Sequence, residues 1–474
     1  METEKIRLED VKKVYFIGIG GIGISAIARF LAAKGKDVSG SDMKPSKVTL
    51  GLEKIGININ YGQREGNITD DIDLAVYTTS VPKTNPEMKA VLEKSIRAIT
   101  YAESLGLIFN SREGIAVCGT HGKSTTTAMI GAVLEDGGVD PSVLVGSIVP
   151  RYDGNLRIGA GKHFLAEACE YNHNFMSLYP QIVILNNIEL DHTDCYKDIG
   201  EMKESFLGLL RHLPEDGILF CGGDDENIRE VVSKIKAEKP GLHIFRFGAD
   251  EKSDDFYFKD YLIADGKAEF EAFHGSESLG GFSLRVPGQF NARNAMAAIA
   301  LGTELGIPTE KIRASLEIYP GIWRRFEIKG EYEGALVVSD YAHHPTAVSV
   351  TIAAAKEFYP DRRIVAVFQP HQHNRTRGLY KDFLTCFDRA DEVILAEIYD
   401  VAGREEEEDQ VVSSRNIAED VVKRNERMAG HIAYAPNLDA TRKMIDDIIK
   451  PGDVVLVMGA GDIFEIADSL VKAN

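Results

Sequence analysis

Residues 114–127 constrain the fold of this chain more than any other stretch. An apolar run ends in Gly119 and Gly122, which bracket a Thr-His pair, and Lys123 and four hydroxyl residues follow. Apolar periodicity resumes at Ala128, so the pattern predicts a strand, a tight glycine turn and the start of a helix. This geometry suits the phosphates of a nucleoside triphosphate, because glycines admit the phosphate oxygens and free helix N–H groups point at them.

This loop is shorter than the standard phosphate-binding pattern. G-x-x-x-x-G-K-[ST] would place its first glycine at Val117, and Gly119 is present instead. Lys123 would neutralise phosphate charge, and Ser124 or Thr125 would offer a hydroxyl to a divalent cation. The alternative is an ordinary glycine-rich turn with a lysine in solvent.

Composition narrows the class of protein. The chain has 474 residues, enough for about three domains of ~150 residues each. No apolar run reaches the ~18 residues of a membrane span, and the N-terminus lacks an apolar signal core, so we expect a cytoplasmic protein with no membrane insertion. The net charge of −19 argues against nucleic acid as a partner. The cysteines form no C-x-x-C pair, so their spacing indicates neither a disulfide scaffold nor a zinc site.

Strand and helix patterns alternate along most of the chain, which predicts an α/β fold with parallel sheets. We expect an N-terminal Rossmann-like domain over 1–107 and a C-terminal Rossmann-like, doubly wound domain over 326–474. Between them, 108–325 should form a central phosphate-loop domain. Its residues 255–287 alternate in period two around glycine turns, which predicts a small antiparallel sheet beside the parallel one.

A second glycine motif follows the first predicted strand. Gly18, Gly20, Gly21 and Gly23 open a helix predicted over 22–33, and Asp42 follows the next strand. This context matches the dinucleotide fingerprint, which binds NAD or any other ligand with a diphosphate and a ribose. Two phosphate loops in one chain predict two phosphorylated ligands in adjacent domains.

Acidic and histidine residues follow two further predicted strands of the central block. A magnesium nucleotide requires oxygen ligands near the phosphate loop, and Glu167 is well placed to supply one. His192 could add a nitrogen ligand or contact a substrate. We assign Glu189 and Asp194 to helix capping or solvent-facing charge.

Together these motifs resemble the Mur ligases. G-T-H-G-K-S-T-T, E-A-C-E-Y, N-N-I-E-L-D-H, V-P-G-Q-F-N-A-R-N-A and W-R-R-F occur in the order seen in that family. G-I-G-G-I-G-I-S, D-Y-A-H-H-P and F-Q-P-H resemble the branch that joins L-alanine to UDP-N-acetylmuramate in peptidoglycan precursor synthesis. The resemblance covers essentially the whole chain. It implies ATP as co-substrate, Mg²⁺ or Mn²⁺ as cofactor, an acyl-phosphate intermediate, and ADP and phosphate as products.

The resemblance also assigns the two nucleotide sites. The residues that it places on ATP are Gly119, Thr120, His121, Gly122, Lys123, Ser124, Thr125, Asn291, Asn294, Arg325 and Asp340. Those that it places on the UDP-sugar are Gly18, Gly20, Gly21, Ile22, Gly23, Asp42 and Ser80.

Metal, catalytic and amino-acid positions complete the implied site. The metal ligands are Ser124, Glu167 and His192. The catalytic set is Lys123, His192, Arg324, Arg325, His343 and His344. The amino acid would contact Tyr341, His371 and Arg375, because an arginine suits a bidentate carboxylate.

Other functions remain open from the sequence. A recycling ligase that attaches a preformed peptide to UDP-N-acetylmuramate would carry the same two loops. An NAD(P)-dependent oxidoreductase follows from the first glycine motif alone, and an inactive nucleotide-dependent scaffold is a further alternative. The sequence does not distinguish a monomer from a homodimer. Because three domains would each deliver a ligand, it does predict domain closure.

Overall fold

The computed structural model describes residues 6–78, 81–192, 195–400 and 412–472. Within these residues the strands form three sheets that follow one another along the chain, with helices packed on their faces. None of the helices in the described ranges is long and apolar enough to cross a membrane.

The first sheet is parallel and has the order β3-β2-β1-β4-β5. This order reverses direction beside β1, as in doubly wound folds, and the glycine loop lies at the carboxyl end of β1. Its strands are β1 (Lys13–Ile17), β2 (Asp37–Asp42), β3 (Asn58–Tyr61), β4 (Leu74–Tyr77) and β5 (Arg97–Thr100). Its helices are α1 (Ile22–Ala33), α2 (Lys47–Lys54), α3 (Pro86–Glu93) and α4 (Tyr101–Phe109).

The central sheet is mixed and larger. Its strands are β6 (Glu113–Cys118), β7 (Ser142–Val149), β8 (Gly154–Arg157), β9 (His163–Glu167), β10 (Ile182–Leu185), β11 (Ile218–Gly222), β12 (His243–Gly248), β13 (Phe256–Ala264), β14 (Lys267–His274) and β15 (Glu277–Leu284). Its helices are α5 (Lys123–Asp136), α6 (Ile199–Leu210), α7 (Glu226–Glu238), α8 (Gln289–Glu304) and α9 (Thr309–Glu317). The strand order is β15-β14-β13-β12-β11-β10-β6-β9-β7-β8.

The predicted antiparallel strands exist, but they do not form a separate sheet. β13, β14 and β15 pair as antiparallel hairpins, and β13 pairs in parallel with β12. The antiparallel segment therefore extends the parallel part. Only two residue pairs, Phe247 with Phe256 and Gly248 with Tyr257, connect β12 to β13. The alternation of apolar residues in the sequence does not predict this pairing.

The third sheet has the order β16-β17-β21-β18-β19-β20. Its strands are β16 (Glu327–Tyr332), β17 (Ala335–Asp340), β18 (Ile364–Phe368), β19 (Glu392–Ala396), β20 (Ile432–Ala435) and β21 (Val454–Met458). Its helices are α10 (Pro345–Phe358), α11 (His373–Gly378), α12 (Tyr380–Phe383), α13 (Ser414–Arg424), α14 (Leu438–Ile448) and α15 (Phe464–Lys472). The sheet is parallel except for β16, an antiparallel edge strand that the sequence did not predict.

Buried strands explain why the sequence pattern was readable. Val454–Met458 and Ile182–Leu185 are buried along their whole length, as expected of parallel strands covered by helices on both faces. The helix predicted over 22–33 has those bounds in the structure. The carboxyl ends of β6, β9 and β10 lie side by side, and they carry the phosphate loop and the acidic segments. The domain boundaries at 107/108 and 325/326 stay predictions.

Candidate functional site

A cleft of about 800 Å³ opens between the central and third sheets. The central part contributes the phosphate loop and the segments that follow β9 and β10. The third part contributes the segment after β17 and the start of α11. Most residues predicted to bind ATP, metal or amino acid therefore face one cavity, although they come from segments far apart in the chain.

The phosphate loop has the backbone that its glycines predict. Gly119 and Gly122 have φ values of 128° and 81°, in the region that favours glycine. A Cβ on Gly122 would lie 2.6 Å from Asn294 Oδ1. Gly122 caps α5, so the first turn of that helix begins at Lys123 and presents its N–H groups toward the cleft.

Lys123 is paired with a carboxylate that the sequence analysis missed. Its Nζ lies 2.8 Å from Glu170 Oε1, and the two side chains are 12% and 1% exposed. Burial by itself raises the pKa of Glu170, but the Lys123 charge and the hydrogen bond with His192 outweigh it and leave the pKa lowered. Glu170 lies in the E-A-C-E-Y segment, so its place three residues after Glu167 was the available signal.

Oxygen atoms suited to a divalent cation cluster beside Lys123. Ser124 Oγ donates to Glu167 Oε2 at 2.8 Å, and Glu167 also accepts from the backbone N–H of Gly146. The buried Glu170 Oε2 has no hydrogen-bond partner among the described residues. A hydroxyl and two carboxylates, one of which has a buried oxygen with no hydrogen-bond partner among the described residues, fit a hard cation such as Mg²⁺, which takes oxygen ligands.

His192 lies between Glu170, which pairs with Lys123, and the third domain. Its Nε2 is 3.5 Å from Glu170 Oε1, and its Nδ1 is 3.3 Å from Arg375 Nη2. The residue has a positive φ of 53°, a backbone conformation that non-glycine residues adopt rarely and that is often found at functional sites.

Arg375 completes a chain of polar contacts across the domain seam. Its Nε donates to Asp191 Oδ1 at 3.1 Å, and both side chains are buried, at 8% and 6% exposure. Burial raises the pKa of Asp191, but the adjacent Arg375 charge holds it well below its usual range. Arg375 Nη1 lies 3.3 Å from His371 Nδ1. Lys123, Glu170, His192 and Arg375 thus form one continuous network.

The end of β17 and the segment after it supply further predicted residues. Asp340 is buried and accepts from the backbone N–H groups of Phe326 and Ala342 at 2.7 and 2.6 Å. Burial raises its pKa. Burial and the nearby Arg375 charge lower the pKa of His343 well below its usual value, and burial together with His121 lowers that of His344. Both imidazoles are therefore neutral at neutral pH.

Glu189, which we assigned to capping or solvent, instead faces the cleft. Its Oε2 lies 2.7 Å from His121 Nε2, and its Oε1 accepts from Thr346 Oγ1 at 2.6 Å. The carboxylate bridges the phosphate loop and the third domain. Asp194 lies outside the described residues.

The two predicted asparagines pack against the phosphate loop. Asn294 Oδ1 accepts from Thr126 Oγ1 at 3.1 Å, and Asn291 Oδ1 accepts from Asn294 Nδ2 at 3.2 Å. Both line the cleft. Thr125 also lines it, while the hydroxyl of Thr120 is bound to the backbone of Glu189.

The adjacent arginines of W-R-R-F take different places. Arg325 lines the cleft, and its guanidinium carbon lies 5.0 Å from the centre of the Tyr341 ring. Arg324 is 4% exposed; its guanidinium stacks on the rings of Trp323, Tyr341 and Phe464 and donates to the Gly459 carbonyl. The structure does not bring Arg324 into the cleft, and its contacts are those of a packed structural arginine.

The first glycine loop lies outside the cleft. Gly18 has a φ of 77°, and its N–H, like that of Ile19, donates to the Ser41 carbonyl at 2.9 Å. The Gly20 N–H donates to Asp42 Oδ2 at 2.8 Å, so Asp42 organises the loop. A Cβ on Gly23 would lie 2.7 Å from the Tyr101 ring.

Helix α1 places this loop close to the oxygen atoms of Ser124 and Glu167, on the side away from the cleft. At its start, the Ile22 carbonyl accepts from Asn155 Nδ2 at 3.0 Å. Asn155 Nδ2 also reaches the Val145 carbonyl, and the next residue, Gly146, donates to Glu167. The two loops therefore lie on either side of residues 145–146. Gly21 caps α1 with an extended backbone, and Ser80 lies outside the described residues.

Two glycine loops, together with a polar cleft between the central and third sheets, fit an enzyme that binds a nucleoside triphosphate and a second phosphorylated ligand. Models of three domains of one protein family match nearly the whole chain. The Mur ligase family catalytic domain matches residues 13–113, the Mur ligase middle domain 117–302, and the Mur ligase glutamate ligase domain 324–461. The chain belongs to the Mur ligase family.

Within this family, the chain is similar over its full length to ligases that join L-alanine to UDP-N-acetylmuramate, by their names. The UDP-N-acetylmuramate–L-alanine ligase of Clostridium kluyveri is 39% identical over 96% of this chain and 97% of its own. That of Caldanaerobacter subterraneus subsp. tengcongensis is 38% identical over 99% of both. Among solved structures, the UDP-N-acetylmuramate-alanine ligase of Thermotoga maritima superposes with a TM-score of 0.81 at 27% identity, covering 97% of this chain and 98% of its own.

Proposed function

We propose that this chain uses ATP to join L-alanine to the carboxylate of UDP-N-acetylmuramate, with release of ADP and phosphate. The full-length relatives that carry this activity in their names support the reaction. The observation that carries the proposal is the polar network from Lys123 to Arg375. It joins the residue expected on the triphosphate to the residue expected on the amino acid.

The chemistry needs two displacements. A carboxylate oxygen of the sugar attacks the γ-phosphorus of ATP, the bond to the bridging oxygen breaks, and ADP leaves. The amine of L-alanine then attacks the acyl-phosphate carbonyl, and inorganic phosphate departs from the tetrahedral intermediate as the amine loses its protons. Alignment and charge neutralisation supply most of the rate enhancement in such transfers. Lys123 would provide positive charge at the phosphates, and Arg325, which lines the same cleft, would add to it.

A divalent cation, Mg²⁺ or Mn²⁺, completes the proposal. Ser124 and Glu167 would hold it, with Glu170 and His192 on the neighbouring side of the cluster. When bound, it would withdraw charge from the phosphate oxygens. Glu167 accepts from the N–H of Gly146, and the first glycine loop lies on the other side of residues 145–146. The UDP-sugar bound at that loop would therefore approach the cation from the side of Gly146.

The third domain would bind the amino acid. The guanidinium of Arg375 suits the carboxylate of L-alanine, with Tyr341 and His371 beside it. L-Alanine arrives as an ammonium ion and must lose a proton before it attacks. His343 and His344 are neutral, so neither ring places a positive charge beside that ammonium.

Phosphate release by the purified chain with Mg²⁺, ATP, UDP-N-acetylmuramate and a panel of amino acids tests the proposal. We expect release that depends on the sugar and is greatest with L-alanine. Release no greater with L-alanine than without any amino acid would refute it. Lys123→Ala should abolish the reaction, which separates an enzyme from a scaffold.

The recycling ligase is the second candidate. A murein peptide ligase from Psychrobacter arcticus shares the fold, with a TM-score of 0.71 at 24% identity. Competition between L-alanine and a tripeptide at equal concentration distinguishes the two functions. Nicotinamide-cofactor titration addresses the oxidoreductase alternative, for which we expect no binding.

A further inference from the structure

Glu189 is fixed to the phosphate loop through both its backbone and its side chain. The Thr120 hydroxyl donates to the Glu189 carbonyl at 2.8 Å, and the Glu189 N–H donates to the same hydroxyl at 2.9 Å. The carboxylate adds the 2.7 Å contact with His121 Nε2. Glu189 must therefore follow any ordering or displacement of residues 120–121.

The free end of this carboxylate reaches the third domain. Its Oε1 accepts from the hydroxyl of Thr346 at 2.6 Å, in the first turn of α10. His344, which caps that helix, has its Nδ1 3.9 Å from the same oxygen and its ring 5.1 Å from the His121 ring. The start of α10 is thus held against the phosphate loop by the Glu189 carboxylate and by the contact between the His344 and His121 rings.

The location matters because α10 begins directly after His343 and His344. A shift of its first turn would move both imidazoles relative to the cleft. Helix α10 rests on its own sheet through Val348 and Ile352, which are fully buried. The contact with Glu189 joins α10 to the phosphate loop of the central domain.

We propose that Glu189 is a positioning residue that couples occupancy of the phosphate loop by a triphosphate to the placement of α10, and through it to L-alanine binding. Phosphate oxygens bound at 119–125 would order the loop, and Glu189 would be ordered with it. Docking of α10 then costs less conformational entropy, which is positive coupling between two sites without a new contact. This inference rests on the proposed function for the identity of the second ligand.

A double-mutant cycle between Glu189 and Thr346 tests the coupling in the full-length chain. L-Alanine affinity is measured by calorimetry with Mg²⁺ and UDP-N-acetylmuramate, in the presence and absence of a non-hydrolysable ATP analogue. The hydrogen bond predicts that Thr346→Val and Glu189→Ala each lower the nucleotide-dependent gain in affinity by about two- to tenfold. The double variant should match Glu189→Ala, since its partner is already gone.

Thr346→Ser is the matched control, because it keeps the hydroxyl. It should retain the gain, whereas a purely structural role of the threonine methyl would make it resemble Thr346→Val. Additive effects of Glu189→Ala and Thr346→Val, or an unchanged gain in Thr346→Val, would overturn the inference.

A second readout does not need L-alanine. Hydrogen exchange of the α10 first turn should slow when the ATP analogue binds to the wild-type chain and to Thr346→Ser, but not to Thr346→Val or Glu189→Ala. Equal slowing in all four proteins would overturn the coupling. Absence of alanine ligation in the wild type would refute only the proposed function. The exchange rates would still test whether Glu189 couples the phosphate loop to α10.

Discussion

Replacement of Glu170 by glutamine tests the polar network at its most buried point. Glutamine keeps the size of the side chain but removes the charge that faces Lys123 at 2.8 Å. Breaking a buried ion pair costs about 3–5 kcal/mol, because one charge is left buried without its partner. Lys123 also donates to the carbonyls of Gly119 and Thr120 at 2.6 and 3.2 Å. These acceptors remain, so we expect a loss near the lower end, about 3 kcal/mol.

Hydrogen exchange in peptides of α5 measures this loss, since a three-domain chain has no single unfolding free energy. The matched control is Glu204→Gln, which removes a carboxylate from the Lys234–Glu204 pair, half exposed at 53% on each side. We expect that control to change the free energy of opening by less than about 0.5 kcal/mol. An α5 opening free energy in Glu170→Gln that equals wild type would refute the reasoning. A change in Glu204→Gln as large as that in Glu170→Gln would also refute it.

The dependence on pH follows from the same pair. The pKa of Glu170 is lowered, so its contribution is present above the ordinary carboxyl pKa of about 4.3 and lost as the pH falls below it. The pKa of Lys123 is raised because Glu170 outweighs its burial, so that contribution is present below about pH 10.4 and lost at higher pH. The difference between wild type and Glu170→Gln should therefore shrink as the pH falls below about 4.3.

Three substitutions test the assigned ligands by steady-state kinetics. Arg375→Lys should raise the KM for L-alanine about ten- to a hundredfold with little change for ATP, because lysine cannot bind a carboxylate bidentately; an unchanged KM would contradict this role. Gly20→Ala places a Cβ 2.6 Å from Asp42 Oδ2, so the KM for UDP-N-acetylmuramate should rise about tenfold and that for ATP should not; equal rises would argue against a sugar-specific loop. Ser124→Ala should raise the Mg²⁺ concentration for half-maximal activity about tenfold, and chelation should abolish activity in both proteins; an unaltered Mg²⁺ curve would remove Ser124 from the metal site.

Local chemistry explains which features could be predicted. The phosphate loop was readable because positive φ at Gly119 and Gly122 requires glycine, and α1 because its apolar residues recur with the helical period. The adjacent arginines show the limit of this reasoning. Arg324 has a φ of 55°, which sends its side chain into the aromatic packing while Arg325 faces the cleft. Neither residue type nor spacing distinguishes them.

The amino-acid sequence by itself determined the three-part α/β organisation, both glycine loops and the family. Only the tertiary structure decided that Glu189 contacts Thr346, 157 positions away, and that Asp191 contacts Arg375, 184 positions away. Periodicity and turn chemistry act over a few residues, so they specify elements and loops. Contacts across a domain seam depend on how separately folded sheets dock, and no local pattern encodes which carboxylate will meet which partner there.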